Sequence, residues 1–136
     1  MWNVQQDYGV HVLWIEGRAG SGKSVLSSFL SSVLEQKLAT EKVVRPSCVA
    51  YFFCHDTDKR LRTAHGVLAS WVDQLLRQDP RFLVHFSREL AIDSRQESTT
   101  WTFSILWRVF ERIMADPSAG DIWLLLDAFG MTIQRL

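Results

Sequence analysis

The segment that constrains this chain most is Gly17-Arg-Ala-Gly-Ser-Gly-Lys-Ser24, which fits the pattern G-x-x-x-x-G-K-[ST] at every fixed position. Its glycines let the backbone curl so that successive N–H groups point inward, and they leave no Cβ between the backbone and a phosphate. The segment therefore predicts a phosphate-binding loop, and this geometry requires a β-strand before the loop and an α-helix after it.

The residues on both sides of the loop have the required periodicities. His11–Glu16 is a short β-type run, and from Lys23 the apolar residues recur at helical spacing, so segment 11–38 predicts strand, loop and helix. The helix N-terminus adds a positive dipole at the loop. The apolar helix positions are Val25, Leu26, Phe29, Leu30, Val33, Leu34 and Leu38, and the residues expected on the other side are Ser27, Ser28, Ser31 and Ser32.

The residue types of the loop suit a nucleoside triphosphate with Mg²⁺. Lys23 is expected to reach the β- and γ-phosphates, and the Ser24 hydroxyl to bind Mg²⁺. Asp127 follows the apolar run Ile122–Leu126 and fits a second Mg²⁺ ligand at the end of a buried strand, although strands also often end in a turn aspartate. The residues expected at the nucleotide are Gly17, Arg18, Ala19, Gly20, Ser21, Gly22, Lys23, Ser24 and Val25.

Between these two sites the sequence predicts further strands and helices in alternation. Ser47–Cys54 is a nearly continuous apolar run, typical of a strand covered on both faces. The remaining predictions are a helix capped by Thr63 and ended by Asp79-Pro80, a short helix over 82–90, a loop over 91–100, a helix over 101–115 with core positions Leu106, Val109, Phe110, Ile113 and Met114, a turn at 116–120 and a strand at 122–127. Alternation of this kind predicts a parallel α/β sheet.

Composition excludes several classes of partner. Lys and Arg number 15, and Asp and Glu also number 15, so no net field attracts nucleic acid or an anionic membrane surface. The longest apolar run, Ile122–Leu126, is too short to span a bilayer. Cys48 and Cys54 form no disulfide framework or zinc spacing and are expected as small buried residues, which together with the lack of a secretory signal favours the cytosol.

Other conspicuous side chains receive structural interpretations. The tryptophans Trp71, Trp101, Trp107 and Trp123 are expected in core or interface packing. Arg108 and Arg112 are expected on a solvated helix face, without a role in the site.

Three stretches resemble the NACHT NTPases of fungal STAND-type signalling proteins, a group whose N-terminal domain is described as nephrocystin-like: Leu13–Ser24, Ala50–Cys54 and Leu124–Ala128. The resemblance implies a three-layer α/β/α fold with a mostly parallel sheet, here of about three strands. It also implies a switch in which ATP or GTP binding with Mg²⁺ reorganises the domain against other domains or chains. By position, Asp127 and Ser24 are the Mg²⁺ ligands.

The sequence departs from this group directly after Asp127. The family pattern continues Asp-Ala-Leu-Asp-Glu, whereas here Ala128 is followed by Phe129-Gly130-Met131, so the acids that activate water are missing and no catalytic base is predicted. We expect residues 1–136 to form a partial NACHT domain, truncated after strand 122–127. In the family the strand before the loop and strand 122–127 are separated by a later strand; direct pairing of the two is the alternative.

Three functions remain open on sequence alone. The first is a nucleotide-binding switch module with weak or no hydrolysis, the second is a fragment that acts only by packing onto another chain through a strand edge, and the third is a small P-loop phosphotransferase. No residue pattern distinguishes ATP from GTP.

Overall fold

A computed structural model describes residues 2–7, 10–40, 45–54, 63–93 and 101–127 of the chain, with side chains from His11 onward. Its fold is mixed α/β with a small parallel sheet. The elements in chain order are β1 Trp2–Asp7, β2 Val10–Ile15, α1 Lys23–Thr40, β3 Cys48–Phe53, α2 Ala64–Gln78, α3 Leu83–Asp93, α4 Phe103–Met114 and β4 Ile122–Asp127, with a 3-10 turn, Pro80–Phe82, between α2 and α3.

The parallel sheet consists of β3 and β4. The register runs from Cys48 opposite Ile122 to Phe53 opposite Asp127. The turn before β4 passes so close to the chain before β3 that a Cβ on Gly120 would lie 2.6 Å from the carbonyl oxygen of Arg45. Only glycine fits this approach, which brings the starts of both strands together.

This sheet confirms the predicted parallel α/β arrangement, but in the described part of the chain it has two strands, and the strand before the glycine loop lies outside it. β2 pairs antiparallel with β1, from Trp2 opposite Ile15 to Asp7 opposite Val10. A hairpin between adjacent segments costs little loop-closure entropy, whereas a parallel partner requires a long crossover. Among the described strands β2 and β4 do not pair, so the alternative of direct pairing is wrong.

Helices cover both faces of the β3–β4 sheet. Cys48 and Ala50 pack into the core formed with α2 and α4, whereas Val49 and Tyr51 face a groove lined by the C-terminal part of α1. Because side chains alternate along a strand, these two sets lie on opposite faces. The core residues are Cys48, Ala50, Leu68, Val72, Leu75, Phe82, Leu106, Val109 and Ile113.

The predicted apolar stripe of α1 divides into two faces. Ser31, expected on the polar side, is the buried residue of this helix, and the exposed residues include Val25 at 74% and Phe29 at 62% of their surface. A sheet of two strands is too narrow to cover a stripe of this width. Leu26, Leu30, Leu34 and Leu38 are half-buried and Val33 is exposed.

Both ends of α2 agree with the prediction. The Thr63 side chain accepts a hydrogen bond from the Gly66 N–H at 3.0 Å, and the helix ends before Asp79-Pro80. The third helix continues to Asp93, so the loop predicted from Ala91 begins too early, because Ala91 and Ile92 extend the helix by another turn. Residues 94–100 of that loop lie outside the described residues, as do 55–62 and 128–136.

The fourth helix shows two differences from its prediction. Thr102 caps it, and Met114, expected in the core, is exposed, whereas Ile105 is buried. The arginines expected on a solvated face hold a buried acid of α3: Arg108 Nε lies 2.7 Å from Glu89 Oε2, and Arg112 Nη2 lies 2.9 Å from Oε1. These ion pairs join α3 to α4.

Candidate phosphate-binding site

The glycine-rich segment forms a loop between β2 and α1, as predicted. Gly20 and Gly22 have φ angles of +77° and +82°, in the left-handed region that favours glycine. A Cβ on Gly17 would lie 2.6 Å from Ser21 Oγ, so the serine side chain would have to rotate away to make room for it. Thus two of the loop's glycines, Gly20 and Gly22, are required by the backbone conformation itself.

The Lys23 ammonium lies inside this loop and binds its oxygen atoms. Nζ donates to the carbonyl of Gly17 at 2.7 Å, to the carbonyl of Arg18 at 2.9 Å and to Ser21 Oγ at 3.3 Å. The loop is tightened by a turn in which the Ser21 N–H donates to the Arg18 carbonyl at 3.1 Å. The three donors of the lysine are therefore satisfied by the loop, and an anion that enters it would exchange with these oxygens.

The remaining predicted nucleotide contacts lie around the start of α1. Ser24 and Val25 are in the first helical turn and are exposed, and Arg18, Ala19, Gly20, Ser21 and Gly22 are exposed in the loop. The helix begins at Lys23, so its unpaired N–H groups and positive dipole end coincide with the loop. The assignment of these residues to a nucleotide stays a prediction.

Asp127 is the last residue of β4 and is half-buried. Its backbone carbonyl accepts a hydrogen bond from the Cys54 N–H at 2.9 Å, which closes the carboxyl end of the parallel sheet. The C-terminal part of α1, including Glu35 and Leu38, lines a groove with Val49 in the first half of β3. Helix α1 thus has its far end near the start of β3, and its N-terminal loop lies at the other end of the helix.

The cysteines behave as ordinary structural residues. Cys48 is buried and Cys54 half-buried, and neither forms a disulfide. Burial raises the pKa of the Cys48 thiol. Across the described ranges, no group of three His, Cys, Asp or Glu side chains could hold a metal ion; the Mg²⁺ site expected from Ser24 and Asp127 is of a different kind, because nucleotide and water oxygens would supply its other ligands.

A second polar cluster joins α3 to the turn after α4. His85 Nε2 lies 2.7 Å from Asp116 Oδ2, while Ser118 donates to Oδ1 from Oγ at 2.6 Å and from its N–H at 2.8 Å. The hydrogen bonds from Ser118, and then that from His85, lower the pKa of Asp116 to about 2. The serine hydroxyl donates to a carboxylate of low pKa rather than to the imidazole, so no strong base activates it, and the cluster holds the turn in place instead of forming a nucleophile.

A similar fastening occurs at the end of α2. Asp79 is buried, and Arg81 binds its carboxylate through Nε and Nη2, the latter at 2.6 Å. The hydrogen bond from Arg81 lowers the pKa of Asp79. This pair was not predicted, although an aspartate before a proline, with an arginine directly after the proline, is a pattern that allows such a cap.

The chain is similar to known proteins over most of its length. The nephrocystin 3, N-terminal family model matches residues 1–130. The chain is similar to the vegetative incompatibility protein HET-E-1 of Podospora anserina, with 28% identity over 128 residues. That match covers 92% of this chain and 9% of the relative, so the chain spans less than a tenth of the relative's length.

No solved structure matches the chain significantly. None of the helices in the described ranges is long and apolar enough to cross a membrane. The family match covers nearly the whole chain, including the glycine loop and Asp127, and agrees with the resemblance to nephrocystin-like N-terminal domains. The chain belongs to the nephrocystin 3 N-terminal family.

Proposed function

We propose that this chain binds a nucleoside triphosphate, ATP or GTP, with Mg²⁺ through the loop from Gly17 to Ser24. The observation that carries this proposal is the Lys23 ammonium, which is held inside a loop of positive-φ glycines at the start of a helix. In this position the ammonium, the loop N–H groups and the helix dipole all favour an anion at one point. Phosphate oxygens would replace the carbonyl oxygens of Gly17 and Arg18 as partners of the lysine.

In the same proposal, Ser24 and Asp127 hold Mg²⁺. Ser24 lies in the first turn of α1, and Asp127 ends β4. The direction of α1 supports their proximity. Its C-terminal part lies near the start of β3, so its N-terminal loop lies toward the carboxyl ends of β3 and β4. A bound Mg²⁺ would neutralise charge on the β- and γ-phosphates.

We infer that nucleotide binding serves as a switch in a signalling protein, with weak or no hydrolysis. The similarity to a vegetative incompatibility protein supports a signalling role, and the small share of that relative which the chain covers is consistent with one module of a larger assembly. Two cysteines that form no disulfide fit a cytosolic location. No residue after Asp127 matches the acids that activate water in the group it resembles.

Thermal unfolding with and without nucleotide tests this function. At about a hundredfold excess over the dissociation constant, Mg²⁺-ATP or Mg²⁺-GTP should add about 2.7 kcal/mol to the stability of the chain. Lys23→Ala should abolish the shift, and Lys37→Ala, a lysine at the other end of the same helix, should retain it. A cooperative transition that neither nucleotide moves would argue against a working site.

Packing onto another domain or chain of the same assembly is the second candidate. Apolar residues on β2 and α1 are exposed, among them Leu13, Trp14 and Phe29. Exposed apolar groups of this size mark interaction surfaces when they adjoin one another. If this role were the only one, Phe29→Ser would weaken association with the rest of the assembly, and nucleotide would leave unfolding unchanged.

A further inference from the structure

The outer edge of β3 differs from an ordinary sheet edge. The N–H groups of Cys48 and Cys54 point toward β4, because they donate to the carbonyls of Asp121 and Asp127 at 2.9 Å. Backbone groups alternate between the two sides of a strand, so the N–H and C=O groups of Val49 point to the opposite edge, where no strand of the described residues pairs with β3.

Two glutamines of α2 supply the partners that a neighbouring strand would supply. Gln78 accepts from the Val49 N–H through Oε1 at 3.0 Å and donates to the Val49 carbonyl through Nε2 at 2.7 Å. Gln74 repeats the same pair of bonds on Tyr51, at 3.1 Å and 2.9 Å. Each side-chain amide therefore replaces one peptide group of a missing strand.

The spacing of the helix makes this repeat possible. Gln74 and Gln78 are four residues apart, a rise of about 6 Å along a helix. Val49 and Tyr51 are two residues apart, about 6.6 Å along a strand. Helix α2 can therefore run antiparallel beside the edge of β3 with its amides in register.

Both glutamine amides are also fixed from behind. Gln74 Nε2 donates to Ser70 Oγ at 3.0 Å, and Gln78 Nε2 donates to the Gln74 backbone carbonyl at 3.1 Å. The second N–H of each amide is thus used within α2, and this determines which way each amide faces. Groups of α2 itself therefore hold both amides in place.

We propose that Gln74 and Gln78 form a side-chain lock that closes the β3 edge against strand addition. An open edge presents unpaired N–H and C=O groups that pair readily with another chain. On β4 the alternation directs the N–H groups of Leu124 and Leu126 away from β3, and in the described part of the chain no strand covers them. With the β3 edge closed in this way, a further strand can join the β3–β4 sheet only at the edge of β4.

Amide hydrogen exchange on the whole chain tests the lock at single residues. Gln78→Met keeps the length and helix propensity of the side chain but removes the amide, so exchange at Val49 should accelerate by about fivefold or more, the equivalent of one hydrogen bond of about 1 kcal/mol. Exchange at Tyr51 should be unaffected. Gln74→Met should give the reverse pattern, and Gln36→Met, an exposed glutamine of α1, should change neither.

A Gln74→Met, Gln78→Met double variant tests the consequence for association. Sedimentation should show more self-association than in the unmodified chain. The proposal is overturned if each single substitution accelerates both amides equally, which would indicate displacement of the helix. It is also overturned if both amides exchange freely in the double variant while its association is unchanged. Should the double variant fail to fold, the pattern of the single variants decides.

Discussion

Removing the two arginines that face Glu89 should destabilise the fold far more than removing Glu89 itself. The Glu89 side chain is fully buried, with Arg108 Nε at 2.7 Å and Arg112 Nη2 at 2.9 Å from its two oxygens. Both guanidinium groups are partly exposed, at 45% and 40% of the side chain. Without the carboxylate they return to water, whereas the carboxylate without them stays buried and unpaired.

The magnitude follows from this asymmetry. An uncompensated buried charge costs about 3–5 kcal/mol, so an Arg108→Met, Arg112→Met variant should lose about that much. Glu89→Met replaces the acid by an apolar group of similar volume and should cost about 1 kcal/mol or less. Typical domains have only about 5–15 kcal/mol of stability, so the double variant should lose a large part of it.

Urea unfolding, followed by the fluorescence of the chain's tryptophans, measures these differences. The triple variant, with all three residues changed to Met, should recover most of the stability lost by the arginine variant, because no charge is then left buried. Arg77→Met is the matched control: its ion pair with Asp73 is exposed on both sides and should be worth less than about 1 kcal/mol. If Glu89→Met costs as much as the double arginine variant, the burial asymmetry is refuted.

Three further outcomes can be measured on the same chain. The pKa of Asp116 is lowered to about 2 in the folded state, so between this value and its ordinary pKa of about 4 the unfolded chain binds more protons than the folded chain. Stability should therefore fall as the pH drops from about 4 toward 2. Asp116→Asn should flatten this part of the pH profile of urea midpoints. Cys54 should react with iodoacetamide before Cys48, whose buried thiol has a raised pKa, and peptide mass spectrometry would show the reverse order if Cys48 were accessible. Gly120→Ala should lower the free energy of unfolding by about 1–3 kcal/mol, since its Cβ would meet the Arg45 carbonyl at 2.6 Å; an unchanged urea midpoint would contradict that contact.

Local signals in the sequence were sufficient to predict the glycine loop and both ends of α2. Gly17–Ser24 has a fixed pattern whose mechanism dictates a strand before it and a helix after it, and both are present. Thr63 and Asp79-Pro80 act through bonds to residues a few positions away, so they can be recognised without knowledge of the fold. The two strands of the parallel sheet were predicted from their continuous apolar runs.

Long-range partners could not be recognised in the same way. The hairpin of β1 with β2 is local, but it was not predicted either, because Trp2-Asn-Val-Gln-Gln-Asp7 has apolar residues only at Trp2 and Val4. Ser31 is buried because the β3–β4 sheet lies against that side of α1, and no local sequence pattern predicts which side of the helix the sheet contacts. Glu89 Oε2 accepts a hydrogen bond from an arginine 19 residues later in another helix, so the burial of this acid depends on how α3 and α4 pack.

Equilibrium dialysis of the folded chain against ATP and GTP, with and without Mg²⁺, tests the central proposal most directly. We predict saturable binding at one site that requires Mg²⁺. Lys23→Ala should weaken it by about thirtyfold or more, the loss of charged hydrogen bonds worth about 2 kcal/mol, while Lys37→Ala binds as the unmodified chain does. A folded chain that binds neither nucleotide, or a Lys23→Ala variant that binds equally well, would contradict a nucleotide site at this loop.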